Sequence, residues 1–149
     1  MRQSRFTLVE LMIVVAIIGL LAALAIPSFM KVRQNAQNAR FASDLRTAVG
    51  AFNMYATQHG EYPPDKNPSE IPDGMASYLD GLDWEGNTPL GGQWDWDHGV
   101  FGVEAGVSVH QPTVSVAQLE QLDQRIDDGD LSSGSFRQRT DGYIRVVAP

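Results

Sequence analysis

The chain contains no cysteine among its 149 residues, which excludes disulfide staples and every thiolate-based metal or nucleophile site. Its three histidines, His59, His98 and His110, stand apart from one another, and there is no HExxH, GxSxG or Walker-type glycine loop. The commonest catalytic constellations are therefore missing, and an enzyme is not expected. Basic residues are scarce as well: 11 Lys and Arg face 18 Asp and Glu, for a net charge of -7. The imbalance lies in residues 47–149, which hold 16 acids against 5 bases. So acidic a surface releases few counterions from a phosphate backbone, and no nucleic-acid partner is expected.

What is present is a long apolar run. From Phe6 to Ile26 there are 21 residues with one charge, Glu10, enough for a helix to cross a hydrocarbon core that needs about 20. Twelve Leu, Ile and Val between Leu8 and Ile26 favour insertion by roughly 4 to 7 kcal/mol in sum, more than the roughly 3 that one mid-membrane acid costs. Glu10 thus permits insertion but demands an explanation, because an ionisable residue in such a span marks function by default. No Lys, Arg or His lies between Phe6 and Met30, so any partner for its charge comes from outside the span. Three readings compete: a cleaved secretory signal, a plain signal anchor, and an assembly helix. MRQSR and Ala23-Leu24-Ala25 imitate a secretory signal, but a carboxylate in its apolar region argues against one. Arg2 and Arg5 before the span are balanced by Lys31 and Arg33 after it, so charge alone sets no orientation.

Phe6-Thr7-Leu8-Val9-Glu10-Leu11, with Gly19 and Pro27 at their spacings beyond it, resembles the prepilin N-terminus shared by type IV pilins and type II secretion pseudopilins. The resemblance covers residues 6–60. It implies a leader of residues 1–5 removed by a prepilin peptidase between Arg5 and Phe6, methylation of the new Phe6 amine, and assembly of a filament. In that filament Glu10 is neutralised by a neighbouring subunit's N-terminal amine, and Phe6, Glu10, Gly19 and Pro27 form the assembly set. It further implies a cytoplasmic N-terminus, a head outside the bacterial inner membrane, and as partners membrane lipid, other pilins or pseudopilins and an assembly platform. Arg5 departs from the family's usual Gly at that place.

Beyond Pro27 the helical period resumes. Phe41, Leu45, Ala48, Val49, Phe52 and Ala56 recur every three or four residues, an amphipathic stripe, and Gly60 followed by Pro63-Pro64 ends it. A helix over Thr7–His59 would be about 80 Å long. Gly19 and Pro27 are its weak points, since one lacks side-chain support and the other removes a hydrogen bond. The resulting division is 6–29 for the membrane or filament core, 30–60 for the stem and 61–149 for the head.

The head reads as α+β, a ladle-like arrangement of a long helix with a small antiparallel sheet. A short helix is expected over Ser69–Leu79, turns over Asn87–Gly92, and strands at Gln93–Trp96, Val100–Val103 and Ala105–Val109. Ser115 with Gln118 forms a capping box for a helix to about Asp127. Phe136–Arg139 and Tyr143–Val147 form a hairpin turned at Asp141-Gly142. Trp94 and Trp96 share a strand face and with Trp84 either build the core against Phe52 and Tyr55 or form a ligand or filament contact. On the second option the protein is a membrane-anchored ligand-binding module. Finally, Asp123, Asp127, Asp128 and Asp130 crowd a helix C-terminus, against the macrodipole. Either solvent and Arg125 or Arg137 relieve them, or a calcium ion takes Asp127, Asp128 and Asp130; the family resemblance implies calcium in a C-terminal loop.

Overall fold

The computed structural model describes residues 6–149; the expected leader, with Arg5, lies outside them. The chain forms two units, one reaching to Ala36 and one from Gln37 to Pro149. Helix α1, Leu8–His59, runs unbroken through Gly19 and Pro27. Up to Ala36 no side chain of α1 is buried. Residues on every side of it, among them Leu8, Ile13, Ile18, Leu24 and Phe29, are more than half exposed.

In the second unit α1 shows the opposite behaviour. Phe41, Leu45, Ala48, Ala51 and Phe52 are buried along one stripe, and the helix stops at His59 because Gly60 takes a left-handed φ of 81° that closes its last turn onto Ala56. The stripe packs on one face of a four-stranded antiparallel sheet, β1 (Gln93–His98), β2 (Ala105–His110), β3 (Phe136–Arg139) and β4 (Gly142–Ala148), in the order β1-β2-β4-β3. The pairings Trp94 with Val109, Trp96 with Val107 and Val109 with Tyr143 place those side chains together on the face toward the helix. Phe52 stacks on Trp96 with ring centroids 3.7 Å apart, Phe41 on Trp94 at 5.1 Å, and Trp84 sits against both Phe52 and Trp94. The indole N–H groups of Trp84 and Trp96 donate to the carbonyls of Glu70 and Pro63 at 2.9 Å, so both rings are buried without stranding a donor.

Helix α2, Val116–Ile126, begins as expected at Ser115, whose Oγ accepts from the Gln118 N–H. The reciprocal half of the box is diverted: the Gln118 amide donates to Asn38 of α1 at 3.0 Å, and Asn38 donates back to the Gln118 carbonyl at 3.4 Å. A local cap has become a buried tie between two helices.

Several local expectations need correction. Ser69–Leu79 is a chain of turns, since Pro72 cannot donate and Ser69 and Gly74 adopt positive φ. Val100–Val103 is a turn closed by the Val103 N–H on the Val100 carbonyl, with Phe101 and Gly102 left-handed; β1 instead continues through Asp97 and His98. The last hairpin turns at Thr140-Asp141, and Gly142 is already in β4, where a side chain would strike the Val109 carbonyl.

Because the stacked pairs join helix to sheet, Phe52→Ala should lower the unfolding free energy of a fragment of residues 31–149 by about 3 to 5 kcal/mol. Met54→Ala, at an exposed position on the same helix, should change it by less than about 0.5. Urea unfolding followed by tryptophan fluorescence distinguishes the two.

Candidate functional site

At the head of α1, Thr7 and Glu10 form a capping box. The Glu10 Oε2 accepts from the Thr7 N–H and from the Thr7 hydroxyl, each at 2.7 Å, while the Glu10 N–H donates to the Thr7 Oγ1 at 3.2 Å. Glu10 therefore has a local role that the sequence also spells, Thr-x-x-Glu, besides any role between chains. Its other oxygen has no partner among the described residues, and the side chain is exposed. Phe6 is 73% exposed beside it. A side chain added at Gly19 would meet nothing of this chain, and Pro27 sits within an intact helix. α1 is long and apolar enough to cross a membrane, and its apolar window is entirely unburied. So large an exposed apolar surface requires lipid or other helices.

A second cluster lies where α2 ends. Carboxylate oxygens of Asp123, Asp127 and Asp128 lie within 4.8 Å of one another. Asp123 is fully buried, and neither of its oxygens has a hydrogen-bond partner. Burial first, then the charges of Asp128 and Asp127, push its pKa up. Asp127 also feels burial most, yet the N–H of Phe136, the Ser135 hydroxyl and N–H, and Arg145 outweigh it and hold its pKa below the ordinary value. Asp128 accepts from the Asp130 N–H and the Ser133 hydroxyl. Asp130 turns away to accept from the N–H and hydroxyl of Ser132. Of the residues expected from sequence, then, Asp127 and Asp128 come together, Asp130 caps its own turn, and Asp123 takes the third place. An orphaned buried carboxylate beside two others fits a hard divalent cation with oxygen ligands. Gly134 keeps the mouth open, since a side chain there would strike the carboxylates of Asp127 and Asp128.

Residues 3–26 match the family model described as the prokaryotic N-terminal methylation motif. Over its N-terminal helix, the chain is similar to type IV pilins and type II secretion pseudopilins. Type II secretion system core protein G of Klebsiella pneumoniae is 40% identical over 62 residues, 42% of this chain and 44% of that protein. The core protein G of Escherichia coli (strain K12) is 37% identical over 62 residues, 42% of this chain and 43% of that one. The type IV major pilin protein PilA of Myxococcus xanthus is 41% identical over 61 residues, 41% of this chain and 28% of that protein. The matched stretch thus spans less than half the length of these relatives. No solved structure matches the chain.

In the head, Trp84, Trp94 and Trp96 are each 1% exposed, the core arrangement of the two that the sequence left open; packing on Phe41 and Phe52 leaves no ring surface free for a ligand. Unexpected are Asp95 and Asp97, which are buried on the other face of the sheet. Arg139 reaches them from β3, its Nη2 donating to Asp95 at 2.5 Å and its Nε 3.5 Å from Asp97. The Ser108 hydroxyl also donates to Asp97, and the Phe101 ring covers the guanidinium, whose carbon is 4.5 Å from the ring centroid. The alternation of Trp and Asp in β1 signals a buried and a wet face; that residues 99–104 fold over the second face has no signature in the spacing.

Two acids share one cation in this cluster. Burial, followed by Asp97, raises the pKa of Asp95 to about 7 despite Arg139. Burial likewise raises Asp97, against the Ser108 hydrogen bond and Arg139. An unfolded Asp titrates near about 3.9, so between about pH 4 and pH 7 the folded head binds more protons than the unfolded chain and this contribution to stability falls as pH rises. Asp95→Asn should flatten that slope in thermal melts across the same range. Arg139→Met, which strands both acids, should cost about 3 to 5 kcal/mol at pH 7.5 and less at pH 5.

Proposed function

We propose that the chain is a structural subunit of a type II secretion pseudopilus or a type IV pilus-like filament, with no catalytic role. The observation that carries this reading is the bare apolar length of α1 up to Met30, headed by an exposed Glu10. In the membrane, lipid covers that surface; in the filament, the same helices of neighbouring copies do. A carboxylate among apolar helices is stable only with a partner. The amine of a processed Phe6 on the adjacent copy supplies one, using the Glu10 oxygen that the Thr7 cap leaves free. On this reading a prepilin peptidase removes residues 1–5 and methylates Phe6, an inner-membrane platform drives assembly with other pilins or pseudopilins, and the head stands in the periplasm before and after extraction. The names of the relatives and the methylation motif support this assignment.

Glu10→Ala should leave the protein in the membrane fraction but abolish thin filaments in electron micrographs of sheared cells. Intact mass of assembled protein should show the chain beginning at Phe6 with one added methyl. Filaments built from the Ala variant, or from protein retaining residues 1–5, would overturn the amine–carboxylate pairing.

We also propose that the cluster at the end of α2 holds calcium, with Asp123, Asp127 and Asp128 as carboxylate ligands. A bound cation neutralises the like charges there and ties the end of α2 to the loop that leads into β3. A ligand bound only by the folded state at 100 times its Kd adds about 2.7 kcal/mol. Melts of residues 31–149 should therefore rise by several degrees from chelator to millimolar calcium. Asp123→Asn should abolish the rise, whereas Asp130→Asn should retain it.

A further inference from the structure

Three arginines converge beside the stem in a chain that is otherwise acidic. Arg46 of α1, Arg125 of α2 and Arg145 of β4 line a groove floored by Leu45, Val49 and Ile126, which continues along α1 past Ser43. Arg46 and Arg125 are exposed, and among the described residues none of the three has a carboxylate within salt-bridge distance. Arg145 is steadied by donating to the Ile126 carbonyl at 3.2 Å, and its charge also lowers the pKa of Asp127. The groove thus offers positive charge around an apolar floor.

The opposite flank of the same unit carries the complement. Asp80, Asp83 and Glu85 are exposed around the half-buried Leu82, and among the described residues none is in a salt bridge. This loop lies by Arg40 and Asp44 of α1 and by Trp94 of the edge strand β1, where Arg40 already faces Asp44 at 3.7 Å. At about 3.6 residues per turn, positions 42 and 46 stand about 200° around the helix from 40 and 44. The buried stripe runs between them. The sheet repeats the separation, since β1 is one edge and β4 lies on the far side of β2.

We propose that the occupant of the arginine groove is the Asp80–Glu85 loop of a second copy of this chain, with Leu82 on the apolar floor and the flanking acids against Arg46, Arg125 and Arg145. Two different, complementary patches on opposite flanks make a head-to-tail contact, which propagates into a helix instead of closing on a dimer. The proposal rests on the filament reading above and adds the head surfaces that join.

The absence of cysteine makes the contact directly testable. The full chain carrying both Asp83→Cys and Arg125→Cys, oxidised in assembled filaments, should run as a ladder of trimers and longer species on non-reducing gels. Each single variant should stop at dimer or below, and the pair Asp83→Cys with Glu104→Cys, on an exposed residue away from the groove, should give no ladder. Arg125→Asp should lower filament yield at least about ten-fold, and adding Asp83→Arg should restore most of it, because the pair is then reversed in sign. Filaments without a ladder, a ladder as strong from the control pair, or a swap that fails to rescue would overturn the contact while leaving the filament reading intact. An unmodified chain that forms no filaments would overturn both.

Discussion

The stacking of Phe41 on Trp94 and of Phe52 on Trp96 is the contact on which the folded unit depends. The two helical residues are three turns apart on one stripe, and the two indoles alternate on one strand face, so helix and sheet meet along a line of aromatic pairs. Trp84 closes that line from a loop whose only regular feature is a run of turns. Residues 61–92 have little secondary structure of their own and are held in place chiefly because Trp84 and the indole and backbone hydrogen bonds to Pro63, Ser69 and Glu70 anchor them.

The same helix serves two environments by composition alone. Up to Met30 its surface is almost wholly apolar and uncovered by its own chain; Lys31, Arg33, Gln34 and Asn35 then break the apolar surface, and from Asn38 the helix is apolar on one stripe, which the head covers. A filament subunit needs this division, for a helix cannot give one surface to its own head and also to its neighbours. The polar residues at the changeover are used: Asn38 and Gln118 bond each other where α2 crosses α1.

Charge is distributed with comparable economy. Asp95, Asp97 and Arg139 neutralise most of their charge inside the sheet's second layer, Asp123, Asp127 and Asp128 concentrate negative charge at one helix end, and three arginines stand opposite an acidic loop. The first of these is closed by ion pairs within the chain, whereas in the second only Asp127 meets a cation, Arg145, among the described residues. The other two leave charge that a cation or a neighbouring copy can meet.

Periodicity and spacing by themselves determined the apolar span, the stem stripe, its stop at Gly60, the cap at Ser115 and the family signature around Phe6 and Glu10, because each is a property of residues within a few turns of one another. The Thr7 cap on Glu10 was equally legible, as Thr-x-x-Glu, though overshadowed by the charge itself. Only the tertiary structure decided that Asp95 and Asp97 are buried, since an alternating strand reads as wet on one face until a distant loop and Arg139 are laid across it. It likewise decided that Asp123, not Asp130, joins Asp127 and Asp128, because Asp130 is used by its own turn. The arginine groove is the extreme case: Arg46, Arg125 and Arg145 are separated by up to a hundred residues, and no local pattern relates charges that are brought together only when α2 and β4 pack beside α1.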